Sequence, residues 1–342
     1  MSDRQFNWMV SAGVLCGAVS AVLYTATNVC LRRAAHLDPV WVSTVKAIPT
    51  ILLVAPVLMA RRRNRLRAGR SRRDVIEVMV LAVIVQVFGN VGFQWALSVL
   101  GLAISVPLVL GTMLVAGALI GKLMLGEPVT WQKWVAVVIL IVATTAVSYG
   151  AHGIHQQGEE FDSRWVMLGI VAALASGVAY AMLGATMRRA MQRGMPLVTL
   201  LFIFSAVGVV LLGGWSLATI GPSGILQTTA FDWFVMFAAG TLNATAFFLL
   251  AKSLQTVPVL VVQMLNASQA ALAALAGWLL FGEAISGWVA WGLVLTALGF
   301  VIAGVRRPSR KVYTAAEDLP SSLPVRASQH EPLLEPVDVH SA

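Results

Sequence analysis

The chain has 342 residues, 58% of them hydrophobic and only 11% charged, with a formal net charge of +9. Counting glycine and leaving out tyrosine, the apolar share is about 65%, against ~45–50% apolar and ~25% charged residues in soluble domains. This balance excludes a soluble enzyme, a disordered chain and a disulfide scaffold, and makes nucleic-acid binding depend on where the positive charges lie.

A hydrocarbon core about 30 Å thick takes about 20 apolar residues per helix. Ten such stretches follow one another, the first at 8–30. It is too long for a signal-peptide core and reads as a retained span. Cys16 and Cys30 both lie in it, about 21 Å apart on a helix, which excludes a mutual disulfide. Ser20, Tyr24 and Asn28 share one of its faces. The second stretch, 40–60, follows Leu37-Asp38-Pro39 and holds Lys46 about 9 Å in from Val40. A charge at the bilayer centre costs ~2.5–3.5 kcal/mol. A cavity-facing cation and a snorkelling anchor both fit this position.

After an arginine-rich loop, Arg61 to Arg73, the third stretch (75–96) carries Gln86, Asn90 and Gln94 as an unbroken polar stripe. Glu77 near its start suits a surface ion pair. The fourth (99–121) contains Gly117-xxx-Gly121 and runs into Gly126-Glu127-Pro128, and the fifth is 131–149. The loop 150–163, with His152, His155, Glu159 and Glu160, reads as solvated rather than metal-binding. The sixth stretch (164–186) carries Ser176 and Tyr180; the seventh (196–218) follows Gly194-Met195-Pro196. The eighth (231–251) bears Thr241, Asn243 and Thr245. The ninth (258–280) bears Gln263, Asn266 and Gln269, packs through Ala273-xxx-Gly277 and runs into Gly282-Glu283. The tenth is 286–305. The tail, 306–342, opens with basic residues, holds five prolines and is expected to be a disordered cytoplasmic segment anchored to anionic lipid. All eleven tryptophans fall near span ends, at the headgroup level.

If the arginine-rich loop is cytoplasmic, 19 of the 24 basic residues share that side, which places both termini in the cytoplasm of a cell (inner or plasma) membrane. The charge then serves orientation, and nucleic acid drops out as a partner. Shifted by 156 residues the chain matches itself: Ser20 on Ser176, Tyr24 on Tyr180, Arg32-Arg33-Ala34 on Arg188-Arg189-Ala190, Gly126-Glu127 on Gly282-Glu283. Each half has five spans, an odd number, so the second must enter the membrane inverted. The expected organisation is a first five-helix repeat, 1–150, an inverted second repeat, 151–305, and the tail. Inverted repeats mark secondary transporters, with substrate near the midplane.

Two five-helix repeats, each closing on a Gly-rich helix that runs into Gly-Glu, resemble the drug/metabolite transporter superfamily, specifically its EamA-like branch, over residues 8–305. Lys46 stands where that family commonly has a basic residue. Its Glu-Pro in the last-but-one helix of a repeat is missing here, where Met113-Leu114 and Gln269-Ala270 align, so no acidic coupling site carries over. The resemblance implies an all-α polytopic membrane protein of ten transmembrane helices that exports or exchanges small metabolites.

Polar groups are costly inside a bilayer, so Ser20, Tyr24, Lys46, Gln86, Asn90, Ser176, Tyr180, Asn243, Gln263, Asn266 and Gln269 are the substrate-cavity candidates. Interhelical hydrogen bonding explains the same stripes equally simply, at ~0.6–2 kcal/mol per bond. Glu127 and Glu283, after glycine, suit a helix end followed by a carboxylate at the next helix start, with proton-coupled gating as the alternative. No catalytic or metal constellation and no cofactor motif is present in the sequence, which argues against an enzyme. The expected partners are a small-molecule solute, the lipid bilayer and a coupling ion, proton or sodium. The reading is a secondary transporter of a small neutral, zwitterionic or anionic metabolite, such as an amino acid, working by alternating access. The alternative is a non-transporting membrane receptor or lipid-handling protein.

Overall fold

The computed structural model describes residues 3–62, 72–125, 131–157, 163–256 and 259–304, and among them every regular element is helical. In chain order these are α1 (Asp3–Arg33), α2 (Pro39–Arg62), α3 (Arg72–Leu100), α4 (Leu102–Leu125), α5 (Trp131–Gln157), α6 (Ser163–Gln192), α7 (Leu197–Thr219), α8 (Ala230–Thr256), α9 (Val259–Phe281) and α10 (Gly287–Gly304). A short helix, Gly221–Leu226, precedes α8. Seven of the described helices, α1 to α4 and α6 to α8, are long and apolar enough to cross a membrane. The shorter apolar segments Trp134–Gly150, Ser268–Phe281 and Gly287–Gly299 lie in α5, α9 and α10. The tail and Glu127 lie outside the described residues.

Local chemistry sets the helix ends. Asp38 caps α2, its Oδ1 accepting from the N–H groups of Val40 (3.0 Å) and Trp41 (2.9 Å), while Pro39 opens the first turn with its φ already fixed. Thr229 caps the start of α8, its Oγ1 accepting from the Asp232 N–H (3.1 Å) and donating to Asp232 Oδ2 (2.7 Å). Gly194, at φ 84°, ends α6 in a left-handed turn, and Met195 N–H reaches back to the Ala190 carbonyl. Two departures from the sequence reading follow from the backbone. Gly101 (φ 80°) separates α3 from α4, later than the expected span start at 99. Residues Val85–Val91 of α3 form a π-helical segment, which rotates everything after it relative to a regular helix. In addition α5 continues to Gln157, into the expected loop.

Packing pairs each half with the other. α1 lies against α8 and α9, α6 against α3 and α4, α2 against α7 and α8, α3 against α7, α4 against α9, and α5 against α10. Exchanging α1–α5 with α6–α10 leaves this set of neighbours unchanged. Small residues permit the closest approaches: a Cβ on Gly240 of α8 would collide with the Lys46 carbonyl of α2. By contrast Gly117 has nothing within 4 Å of where its Cβ would be, so the Gly117-xxx-Gly121 pair does not mark a tight seam at that glycine. The outer surface is apolar, with Leu15, Leu52, Val80, Val210 and Trp291 among its exposed side chains.

Candidate functional site

A cavity of about 450 Å³ lies at the centre of the bundle, lined by side chains from α1, α2, α3, α4, α6, α7, α8 and α9. The lining residues recur at helical spacing: Tyr24, Thr27, Asn28 and Leu31 on α1, Ser43, Lys46, Ala47 and Thr50 on α2, and Val106, Val109, Leu110 and Met113 on α4. α6 adds Tyr180, and α8 adds Asn243, Phe247 and Phe248.

The polar wall is a hydrogen-bond chain with one sense. Gln86 Nε2 donates to the Phe204 carbonyl at 2.7 Å, and that carbonyl can only accept. Gln86 Oε1 must then accept, and does so from Asn90 Nδ2 at 2.7 Å. Asn90 Oδ1 is thereby turned toward the cavity, where Lys46 Nζ (2.8 Å) and the Tyr180 hydroxyl (3.0 Å) both donate to it. Gln86 and Asn90 sit in the π segment, which brings both amides to the same wall. Tyr24, Asn28 and Asn243 border the cavity without a hydrogen bond among the described residues. Ser43 Oγ, buried to 2% exposure, has none either.

Of the residues singled out from sequence, Tyr24, Lys46, Gln86, Asn90, Tyr180, Asn243 and Gln269 thus meet at one cavity. Lys46 faces that cavity, and the snorkelling alternative falls away. Ser20 and Ser176 do not line it. Ser20 Oγ donates to the Ala246 carbonyl (2.7 Å) and Ser176 Oγ to the Phe88 carbonyl (2.8 Å), so these repeat-related serines tie α1 to α8 and α6 to α3. The stripe on α3 is broken: past the π segment Gln94 turns away and donates to the Leu31 carbonyl at 2.9 Å. Thr241 and Thr245 are exposed and bond only their own helix. The side chains of Gln263 and Asn266 lie outside the described residues. Sequence reasoning passed over Ser43 and Thr50, although both stand one turn from Lys46 on its face, a spacing that could have found them.

Glu283 is not at the cavity, and it does not cap the helix that follows it. Its Oε1 accepts from Arg32 Nε (2.8 Å) and the Leu102 N–H (2.8 Å), and its Oε2 from the Ala103 N–H (2.7 Å). A carboxylate from the second half therefore caps α4 of the first, where the positive helix start welcomes it. Arg32 also donates to the Leu97 carbonyl and lies over the Phe281 ring. At this end the buried apolar residues form one cluster drawing on α1 to α6 and α8 to α10. At the opposite end the described cluster joins α3, α6 and α7, with Phe247 of α8 packed against it, and is flanked by Glu77 and Asp74 paired with Arg189 and Arg193.

The model of the EamA-like transporter family matches the chain twice, over residues 11–149 and 167–305. No curated protein matches it. Twenty-five solved chains do. One crystal structure is 16% identical with a TM-score of 0.59, covering 86% of this chain and 98% of its own, a likeness of fold.

Proposed function

Since the chain belongs to the EamA-like transporter family, we propose that it is a secondary transporter moving a small metabolite by alternating access. In this reading ten helices span the membrane as two inverted five-helix repeats, 1–150 and 151–305, with both termini cytoplasmic. The exchange-invariant set of helix neighbours supports the pseudo-two-fold, and so do the serines at 20 and 176, each bonding a carbonyl across the halves. Direction supports the inversion. α2 runs parallel to α8, with Trp41 against Trp233 and the Lys46 carbonyl against Gly240. It runs antiparallel to α7, Thr44 lying near Gly213 while Thr50 and Leu201 share the cavity wall, and the short α1–α2 and α6–α7 turns then leave α6 opposed to α1.

The observation that carries the proposal is the central cavity, built by both halves at mid-bundle, where inverted repeats place their substrate. With the arginine-rich loop inside, the Glu283 end faces out, where the carboxylate ties Arg32 of α1 to the start of α4. Metabolite profiling of cells and medium with and without overexpression identifies the compound. Its flux into proteoliposomes under imposed pH and sodium gradients then tests coupling. Single cysteines at Ser43 and Ser205, in a chain lacking Cys16 and Cys30, are expected to become reactive from alternate sides as substrate is added. Labelling from one side only, with no compound moved, would overturn transport and favour a receptor or lipid-handling role.

A further inference from the structure

Resting on that transport reading, we propose that the cavity holds an organic monoanion. Its carboxylate, or another singly charged acid group, sits on Lys46, and its apolar body lies against the wall opposite. Among the described residues Lys46 is the one charged side chain lining the cavity, and no carboxylate lines it. An ammonium has three donors. One goes to Asn90 Oδ1, a neutral acceptor already shared with Tyr180, and the other two meet no acceptor among the described residues. Asn90 cannot answer with more, because its amide is held in one orientation through Gln86 by the Phe204 carbonyl. The cation is therefore positioned but left uncompensated, a costly arrangement at membrane depth that an anionic ligand relieves.

A second feature points the same way. Ser43 Oγ is buried without a partner one turn before Lys46 on the same face, so it can donate to the acid's second oxygen. The apolar part has its own surface in Met113, Val109, Phe247 and Phe248. A cationic ligand would meet Lys46 alone. A zwitterion would bring an ammonium for which the cavity offers only amides, hydroxyls and aromatic faces. At about 450 Å³ the space suits a body of one ring, within the usual ~300–1,000 Å³ for small-ligand sites.

The test uses the full chain in lipid nanodiscs and four matched probes: phenylacetate, phenylacetamide, phenethylamine and phenylalanine, with affinities read by calorimetry. Phenylacetate is expected to bind about tenfold or more tighter than the amide, the gain of a hydrogen-bonded charge. Phenylalanine should rank below it, and phenethylamine last. Lys46→Gln should erase the preference for the acid while keeping amide affinity; Lys46→Arg should restore it, and Ser43→Ala should weaken acid binding less. If Lys46→Gln does not fold, the wild-type ranking of the four probes decides. The inference is overturned by an amine or amide that binds as tightly as the acid. Acid binding indifferent to Lys46→Gln, or binding of none of the four at millimolar concentration, overturns it equally. Counterflow separates the two readings. Acid binding without flux sinks transport and leaves the anion site, whereas flux of the amine without acid preference does the reverse.

Discussion

Replacing Glu283 by alanine removes three contacts at once: the Arg32 guanidinium and the N–H groups of Leu102 and Ala103. The carboxylate is 12% exposed and Arg32 25%, so this is closer to a buried pair than to a surface one. Breaking a buried pair by deleting one partner costs ~3–5 kcal/mol. Arg32 keeps its bond to the Leu97 carbonyl and some solvent, which puts the ion-pair part near the lower limit. Loss of the cap on α4 contributes ~0.5–2 kcal/mol, overlapping with it. The net expectation is about 3–4 kcal/mol, or about 6–16 °C in melting temperature at ~2–4 °C per kcal/mol. Glu283→Gln retains an acceptor for Arg32 and Leu102 but presents an NH2 to the Ala103 N–H, so it should fall between wild type and alanine. Thermal unfolding in nanodiscs measures all three, and an Arg32→Ala/Glu283→Ala cycle should return a coupling of about 1–2 kcal/mol. The reasoning is refuted if Glu283→Ala melts within about 2 °C of wild type. It is equally refuted if the loss is no larger than for Glu77→Ala, whose carboxylate is 35% exposed in the Arg189–Arg193 cluster and should contribute below ~1 kcal/mol.

Gly240→Ala should destabilise the protein by ~1–3 kcal/mol, since the new methyl group meets the Lys46 carbonyl and Pro49; an unchanged melting temperature would show that α2 and α8 are not in contact there. Ser20→Ala and Ser176→Ala should each lose about 1 kcal/mol while leaving ligand affinity unaltered, and a change in affinity would return these serines to the cavity. Asp38→Ala should cost about 1 kcal/mol by uncapping α2, against a near-neutral Asp38→Asn, both read by thermal unfolding. The Arg193 pairs with Asp74 and Glu77 are exposed, so high salt should reduce the effect of Glu77→Gln while that of Glu283→Gln persists.

The spans were legible because a bilayer leaves the backbone few options: every apolar run had to close its own hydrogen bonds, and α1, α2 and α6 to α8 begin and end within a few residues of where the apolar pattern put them. Lys46, Asn90 and Tyr180 were legible as costly polar groups. What they bond was not, because their partners are 44 to 90 residues apart in the chain. The stripe Gln86, Asn90, Gln94 was misread for a definite reason. A spacing of four assumes 3.6 residues per turn, and the π segment inserts the extra residue that turns Gln94 to Leu31. Ser20 and Ser176 were misassigned because a hydroxyl at the right helical position bonds a neighbouring helix as readily as it lines a void. Glu283 was recognised as a capping group, but on the wrong helix: its partners lie 180 and 181 residues earlier.

The two halves also separate scaffold from site. Ser20 and Ser176 occur at the same place in each repeat and do the same work, each sealing one helix pair across the halves. At the equivalent of Lys46 the second repeat carries Phe202, and at the equivalent of Asn90 it carries Ala246. A second lysine at the equivalent position would place like charges about the same cavity, where they repel. Duplication supplies a frame in which equivalent helices keep equivalent neighbours. Among the described residues the charge at the cavity then lies on α2, the bonded amide pair Gln86–Asn90 on α3, and Phe247 and Phe248 on α8. The repeats agree at one pair that faces the cavity, Tyr24 and Tyr180; the asymmetry lies at 46 and 90, which line it while their counterparts Phe202 and Ala246 do not.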